Sequence, residues 1–179
     1  GVIRFDKYFE MQSHEPKRDA FLASKGLDSK ERVILLTTVT AGNYDLDHVL
    51  LEDLLKARDE GRFSGYPNIF VRLHPKEEIN KFKKFIREAG SYRNFHIETA
   101  GKDRNVRFAT NVEMEEEDLL NMKYTLMYSD VVINYRSTVS LEAVIFDKPV
   151  INIYYPEKYI NSNREICCVN KASIGGFYD

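Results

Sequence analysis

Cysteine is almost missing from this chain: of 179 residues only Cys167 and Cys168 carry thiols, and they are neighbours. Adjacent cysteines rarely bridge each other, and there is no third cysteine to pair with. They also lack metal-ligand spacing, so they read as reduced thiols on or beside a buried strand in a reducing compartment. Long apolar runs are missing too, and the few-residue runs present fall far short of the roughly 20 needed to cross a bilayer. No basic-then-apolar leader opens the chain. The expected location is therefore the cytoplasm. Peripheral association of a longer protein with the cytoplasmic face of a membrane, through a segment outside this chain, stays open. No charge sign dominates, since 26 Lys and Arg stand against 28 Asp and Glu. That balance argues against nucleic acid as a partner, although a local basic cluster can still hold a phosphate. Internal repeats and low-complexity segments are absent.

What is present is an alternation of short apolar runs with longer amphipathic stretches. Residues 33–38 form a β-rich run after a polar turn, and residues 45–60 carry Leu46, Val49, Leu50, Leu54 and Ala57 at helical spacing. Gly61 and the turn at 64–67 close that helix. A strand at 69–73 precedes a helix over 76–89 with Ile79, Phe82 and Ile86 on one face. A third strand falls at 95–97, and residues 99–116 are polar and irregular. The acidic run at 113–118 then opens a helix, where carboxylates offset the macrodipole and face solvent. Strands at 131–133 and 150–153 flank a short helix over 138–146, and 166–169 is the candidate sixth strand. Strands apolar on both faces and separated by helices indicate an α/β fold. The expectation is a doubly wound, Rossmann-like parallel sheet of about six strands with helices on both faces. Residues 1–30 read as a lead-in with one short helix near 19–25, and 31–179 as the ligand-binding domain.

Ligands of such sheets sit outside the carboxyl ends of the strands, so the residues after each strand are the candidates. After the first come Thr38, Thr40 and Gly42, small groups that let backbone amides approach a ligand. This is not a G-x-G-x-x-G fingerprint, which disfavours a dinucleotide cofactor. After the second come Arg72, His74, Pro75 and Lys76, with Pro75 suited to a first helical position. A histidine just before a helix N-terminus is placed to donate to a phosphate. After the fourth come Ser137 and Thr138, either of which can cap the next helix while its first-turn amides face a phosphate. Glu142, one turn further on, can accept bonds from ribose hydroxyls. Asp45 and Asp47 have the spacing of an Asp-x-Asp metal motif but stand at a helix start, where they read as caps. No metal site is expected.

The run Leu126 to Asn134, then Ser137 and Thr138, Glu142 and Ala143, and finally Lys148, Pro149, Val150 and Ile151 resembles the donor-domain signature of GT-B glycosyltransferases. His74-Pro75 after the second strand resembles the motif of a narrower group. That group holds the CDP-glycerol glycerophosphotransferases and the bacterial capsule- and sialyl-type transferases. The opening residues, Gly1 to Tyr8, resemble the segment that enters this domain from the N-terminal half. The resemblance implies a chain that is one half of a GT-B fold. Its substrate is a CDP-, CMP- or UDP-linked sugar or polyol donor, used in surface polysaccharide or cell-wall polymer synthesis. It implies donor phosphate on Arg72, His74, Lys76, Ser137 and Thr138, and ribose on Glu142, without metal or other cofactor. The catalytic base is expected in an N-terminal half that this chain does not contain, leaving His74 for electrophilic assistance. Two departures stand out: Asp147 replaces the family's usual glycine, and Tyr135-Arg136 replaces a glycine-rich loop. The alternatives are the C-terminal half of a UDP-N-acetylglucosamine 2-epimerase-like isomerase and a non-catalytic nucleotide-binding module.

Overall fold

The first strand, β1 (Val33–Thr37), is buried at all five residues, and the second, β2 (Asn68–Leu73), at all six. Such strands need apolar cover on both faces, which a parallel sheet with helical crossovers supplies. The computed structural model describes residues 3–9, 15–39, 46–99, 116–135 and 137–153. Among these, β3 (Phe95–Thr99), β4 (Val131–Asn134) and β5 (Val150–Asn152) join the first two in one sheet. All pairings are parallel, and the order is β3-β2-β1-β4-β5. The chain builds outward from β1 to β3, then returns to the other side of β1 for β4, so the order reverses between β1 and β4. The strand expected at 166–169, with Cys167 and Cys168, lies outside the described residues.

The helices are α1 (Ile3–Phe9), α2 (Arg18–Ser24), α3 (Asp47–Asp59), α4 (Lys83–Arg87), α5 (Glu116–Tyr128) and α6 (Val139–Ile145). Alternate residues of β1 enter two apolar clusters, as the two-residue period of a strand requires. Val33 and Leu35 join Phe70, Val132, and residues of α1, α2, α5 and α6. Ile34 and Leu36 join Ile69, Val71, Leu73 and Ile133 with Leu50, Leu51 and Leu55 of α3 and Phe85 of α4. The lead-in holds two helices where one was expected, and both reach the core. Tyr8 of α1 is 4% exposed, and Phe21 of α2 stacks parallel to Phe70 with 6.5 Å between ring centres. Gly26 and Gly61 adopt positive φ just past α2 and α3, a conformation glycine reaches without Cβ strain.

Two helical faces differ from their expected form. Over 76–89 a continuous helix was expected; instead a turn follows β2, then a 3-10 turn at Ile79–Phe82, then the short α4. Its buried anchors are Phe82 and Phe85, and Ile86 is 42% exposed. Anchors three residues apart suit the three-residue turn of a 3-10 helix, whose side chains at i and i+3 eclipse. Along α3 the buried set is Leu50, Leu51 and Leu55, rotated from the predicted stripe. Tertiary packing on β1 and β2 selects that face over the neighbouring leucines.

Candidate functional site

The exits of β1 and β2 are joined by backbone and side chain together. Thr38 N–H donates to Arg72 O at 3.2 Å, and its hydroxyl accepts the N–H of His74 at 2.9 Å. The turn after β2 closes with Glu77 N–H on His74 O at 2.9 Å. Lys76 N–H donates to His74 Nδ1 at 3.0 Å, so this ring nitrogen is the acceptor and a neutral His74 carries its proton on Nε2. Burial first, and then the charge of Lys76, hold the imidazole below its ordinary pKa. Both effects favour the neutral imidazole, which can still donate through its N–H. It also does not sit at a helix N-terminus, because helical backbone begins only at Ile79. Lys76 is exposed.

Asp47 corrects another expectation. Leu46, not an aspartate, stands at the N-cap position of α3, and Asp47 lies inside the helix, 2% exposed. Its Oδ2 accepts the N–H of Val39 at 2.9 Å instead of capping its own helix. Burial, with the nearby Glu77 charge adding to it and the Val39 bond opposing, pushes its pKa up to about 7. Sequence reasoning took Asp47 for a cap and did not single out Glu77. The available signal was the place of Asp47 in the heptad-like spacing with Leu50 and Leu51, which puts a carboxylate on a buried face.

The exit of β4 satisfies itself. Asn134 Nδ2 donates to Ser140 Oγ at 3.1 Å, and Asn134 Oδ1 accepts Ser137 N–H at 3.3 Å. Ser137 Oγ accepts Val139 N–H at 3.3 Å, whereas Thr138 makes no side-chain cap bond. Ser140 N–H bonds to Ser137 O at 3.1 Å and Leu141 N–H to Thr138 O at 3.0 Å, a 3-10 opening to α6. First-turn amides expected to face a phosphate are therefore engaged within the turn. Asn134 and Ser140, which organise this corner, were not singled out from sequence. Between the two corners an apolar group of Val39, Leu46, Tyr135 and Ile153 closes the carboxyl end of the sheet.

Two expected ligand contacts are engaged elsewhere. Arg72 is 5% exposed and forms ion pairs with Glu98 and, at 3.8 Å, with Asp118. It shares the face of Phe70, so its guanidinium is directed toward β3 and α5 and not toward His74. Glu142 is 4% exposed and accepts the hydroxyl of Tyr8, which ties α1 to α6. Burial against α1 is the reason it is not the open carboxylate a ribose needs. Thr40, Gly42, Asp45 and Arg136 lie outside the described residues. The structure brings together Thr38, His74 and the backbone of Lys76, and separately Ser137 with Asn134 and Ser140.

Asp147 takes φ of 53° just after α6. Its N–H bonds to Val144 O and that of Lys148 to Ala143 O, both at 3.0 Å. This is a Schellman ending, normally a glycine position, followed here by Pro149. The departure at Asp147 thus falls where glycine costs least.

The fold defines an α/β domain with a Rossmann-like, all-parallel sheet. No family model matches the chain, and no curated protein matches it either. Among the described residues no group of three or more His, Cys, Asp or Glu side chains gathers as a metal set. No helix among them is long and apolar enough to cross a membrane.

Proposed function

We propose that this chain binds the phosphates of a nucleotide-linked sugar or polyol, as the donor-binding half of a metal-independent GT-B glycosyltransferase. The fuller architecture in this reading is a doubly wound sheet whose sixth strand continues past β5. The observation that carries the proposal is the fixed tautomer of His74. An imidazole held through Nδ1 by Lys76 N–H, on a backbone anchored by Thr38, carries its Nε2 proton at the carboxyl end of β2. It is the geometry with which a half-buried neutral histidine meets a phosphate oxygen or a leaving diphosphate. Lys76 adds a flexible cation, and the hydroxyls of Ser137 and Thr138 extend the site toward β4. The donor is CDP-, CMP- or UDP-linked, and surface-polymer synthesis is the expected setting. The acceptor and the base that deprotonates it belong to the N-terminal half.

A non-catalytic nucleotide-binding module is the second reading, favoured by the contact of Glu142 with Tyr8, which takes up the carboxylate a ribose would use. Calorimetric titration with CMP, CDP, UMP, UDP, GDP and NAD separates the readings. Selective binding of a cytidine or uridine nucleotide, weakened in His74→Ala, supports the donor site. Binding of every nucleotide alike favours the module, and no binding by any removes both.

A further inference from the structure

One run of hydrogen bonds links two acids through the candidate phosphate site. It passes from Asp47 Oδ2 to Val39 N–H, along the chain to Thr38, and from Thr38 Oγ1 to His74 N–H. From His74 O it passes to Glu77 N–H. At each end of the run one carboxylate oxygen, Asp47 Oδ1 and Glu77 Oε2, is buried and has no hydrogen-bond partner. The second oxygen of Glu77 accepts the N–H of Glu78 at 3.0 Å. An ionised carboxylate is acceptor-only, and two such buried acceptors without donors cost several kcal/mol. A proton relieves that cost, because it turns one acceptor into a donor and removes one of two like charges.

We propose that Asp47 holds a proton beside the Glu77 carboxylate, and that its loss weakens the binding of a diphosphate anion at His74 and Lys76. The inference rests on the phosphate-site reading above and adds its regulation. Below the transition the pair carries one negative charge; above it, two stand beside the anion. Binding at the higher pH takes up one proton from solvent onto Asp47 Oδ1, and no bond of the ligand is made or broken.

Other charged groups stand on the surrounding elements, Asp53 of α3 among them with one buried oxygen, and Asp47→Asn separates their contribution from that of Asp47. On α3, His48 follows Asp47 and stands edge-on to Phe82, with 6.4 Å between ring centres. On the turn after β2 are His74, Lys76, Glu77 and Glu78, and Lys81 in the 3-10 turn pairs with Glu78 at 3.0 Å. The exit of β1 contributes only uncharged Thr38 and Val39 among the described residues. His74 titrates below its ordinary value, whereas Asp47 is pushed up to about 7, so their windows separate.

The test is calorimetric binding of UDP-glucose, whose diphosphate has no group titrating between pH 6 and 8, across that range and in buffers of different ionisation enthalpy. Wild-type protein is expected to bind about tenfold more weakly at pH 8 than at pH 6, with proton uptake at the upper end. Asp47→Asn should flatten the profile, and Glu77→Gln should move its midpoint down. An unchanged slope in Asp47→Asn overturns the proposal and leaves the phosphate site standing. No binding of UDP-glucose at any pH overturns the site and the proposal with it. Carbon-13 NMR of the wild-type carboxyls is the arm that needs no variant: titration of Asp47 near 7 supports the proposal, and titration in the ordinary carboxylate range overturns it.

Discussion

Two buried polar groups flank β2, and they resolve the same problem in opposite ways. On the face toward α5, Glu98 is surrounded by Arg72, Lys25 at 2.7 Å, His96 at 3.1 Å and Asn121 at 2.6 Å. At the exit of β1 and β2, Asp47 and Glu77 keep buried oxygens that no donor meets. Burial alone would raise the pKa of Glu98, yet the His96 bond, the Arg72 charge and Lys25 outweigh it and hold the carboxyl at about 2. Asp47, with one backbone donor and a like charge nearby, moves the other way to about 7. Matched charges of this sort brace a fold. Unmatched acceptors beside an imidazole mark the part where the proposed phosphate site is placed.

The sharpest way to break the contrast is to unmatch the first group. Arg72→Ala removes one of the four partners of Glu98 together with the Asp118 ion pair, and should cost about 2–3 kcal/mol in urea unfolding. The nucleotide affinity of the folded fraction should change little, because Arg72 serves the β2–β3–α5 layer. The acid limb follows the same logic. The folded pKa of Glu98 lies below its ordinary value of 4.5, so its contribution is complete above about 4.5. It is lost as pH falls toward 2, and Glu98→Gln should remove that limb from an acid titration of stability.

Asp47→Asn tests the opposite sign. Because the folded value of Asp47 lies above 3.8, its favourable contribution is complete below about 3.8 and disappears as pH rises through about 7. The asparagine can keep the Val39 bond while removing the charge. It should therefore stabilise the protein by about 2 kcal/mol at pH 8 and much less at pH 5, measured by thermal melts at both. Smaller still is His74→Ala, expected to weaken a bound diphosphate by about tenfold, or ~1.4 kcal/mol, with an unchanged circular dichroism spectrum. Asp147→Gly should be the mildest change, a gain of up to about 1 kcal/mol from relief at a left-handed position.

The strands were legible because their signal is local: unbroken runs such as Val33 to Leu36 and Ile69 to Val71 state their own burial. Gly61 announced the end of α3 for the same reason. Partners distant in sequence were not legible. Arg72 looked like one of three cations at a strand end, and only the sheet shows Glu98, 26 residues away, as its counter-ion. Register carried a hint, since Arg72 falls two residues from Phe70 and so shares its face. Glu142 was similarly disguised, because its hydroxyl partner Tyr8 lies 134 residues earlier. Asp47 resembled a cap because acids are common at helix starts, and its bond to Val39 depends on how the β1 exit returns over α3. His74 and Thr38 do lie together, each placed by a strand that the sequence marks plainly.

The central claim is that His74, held as an Nε2–H donor, forms the core of a nucleotide-phosphate site. Amide NMR shift mapping during titration with CDP and UDP tests it most directly. The account predicts saturable shifts centred on Thr38, His74, Lys76 and Glu77, reduced in His74→Ala. Saturable shifts confined to other parts of the sheet, or a response unaltered in that variant, would contradict it.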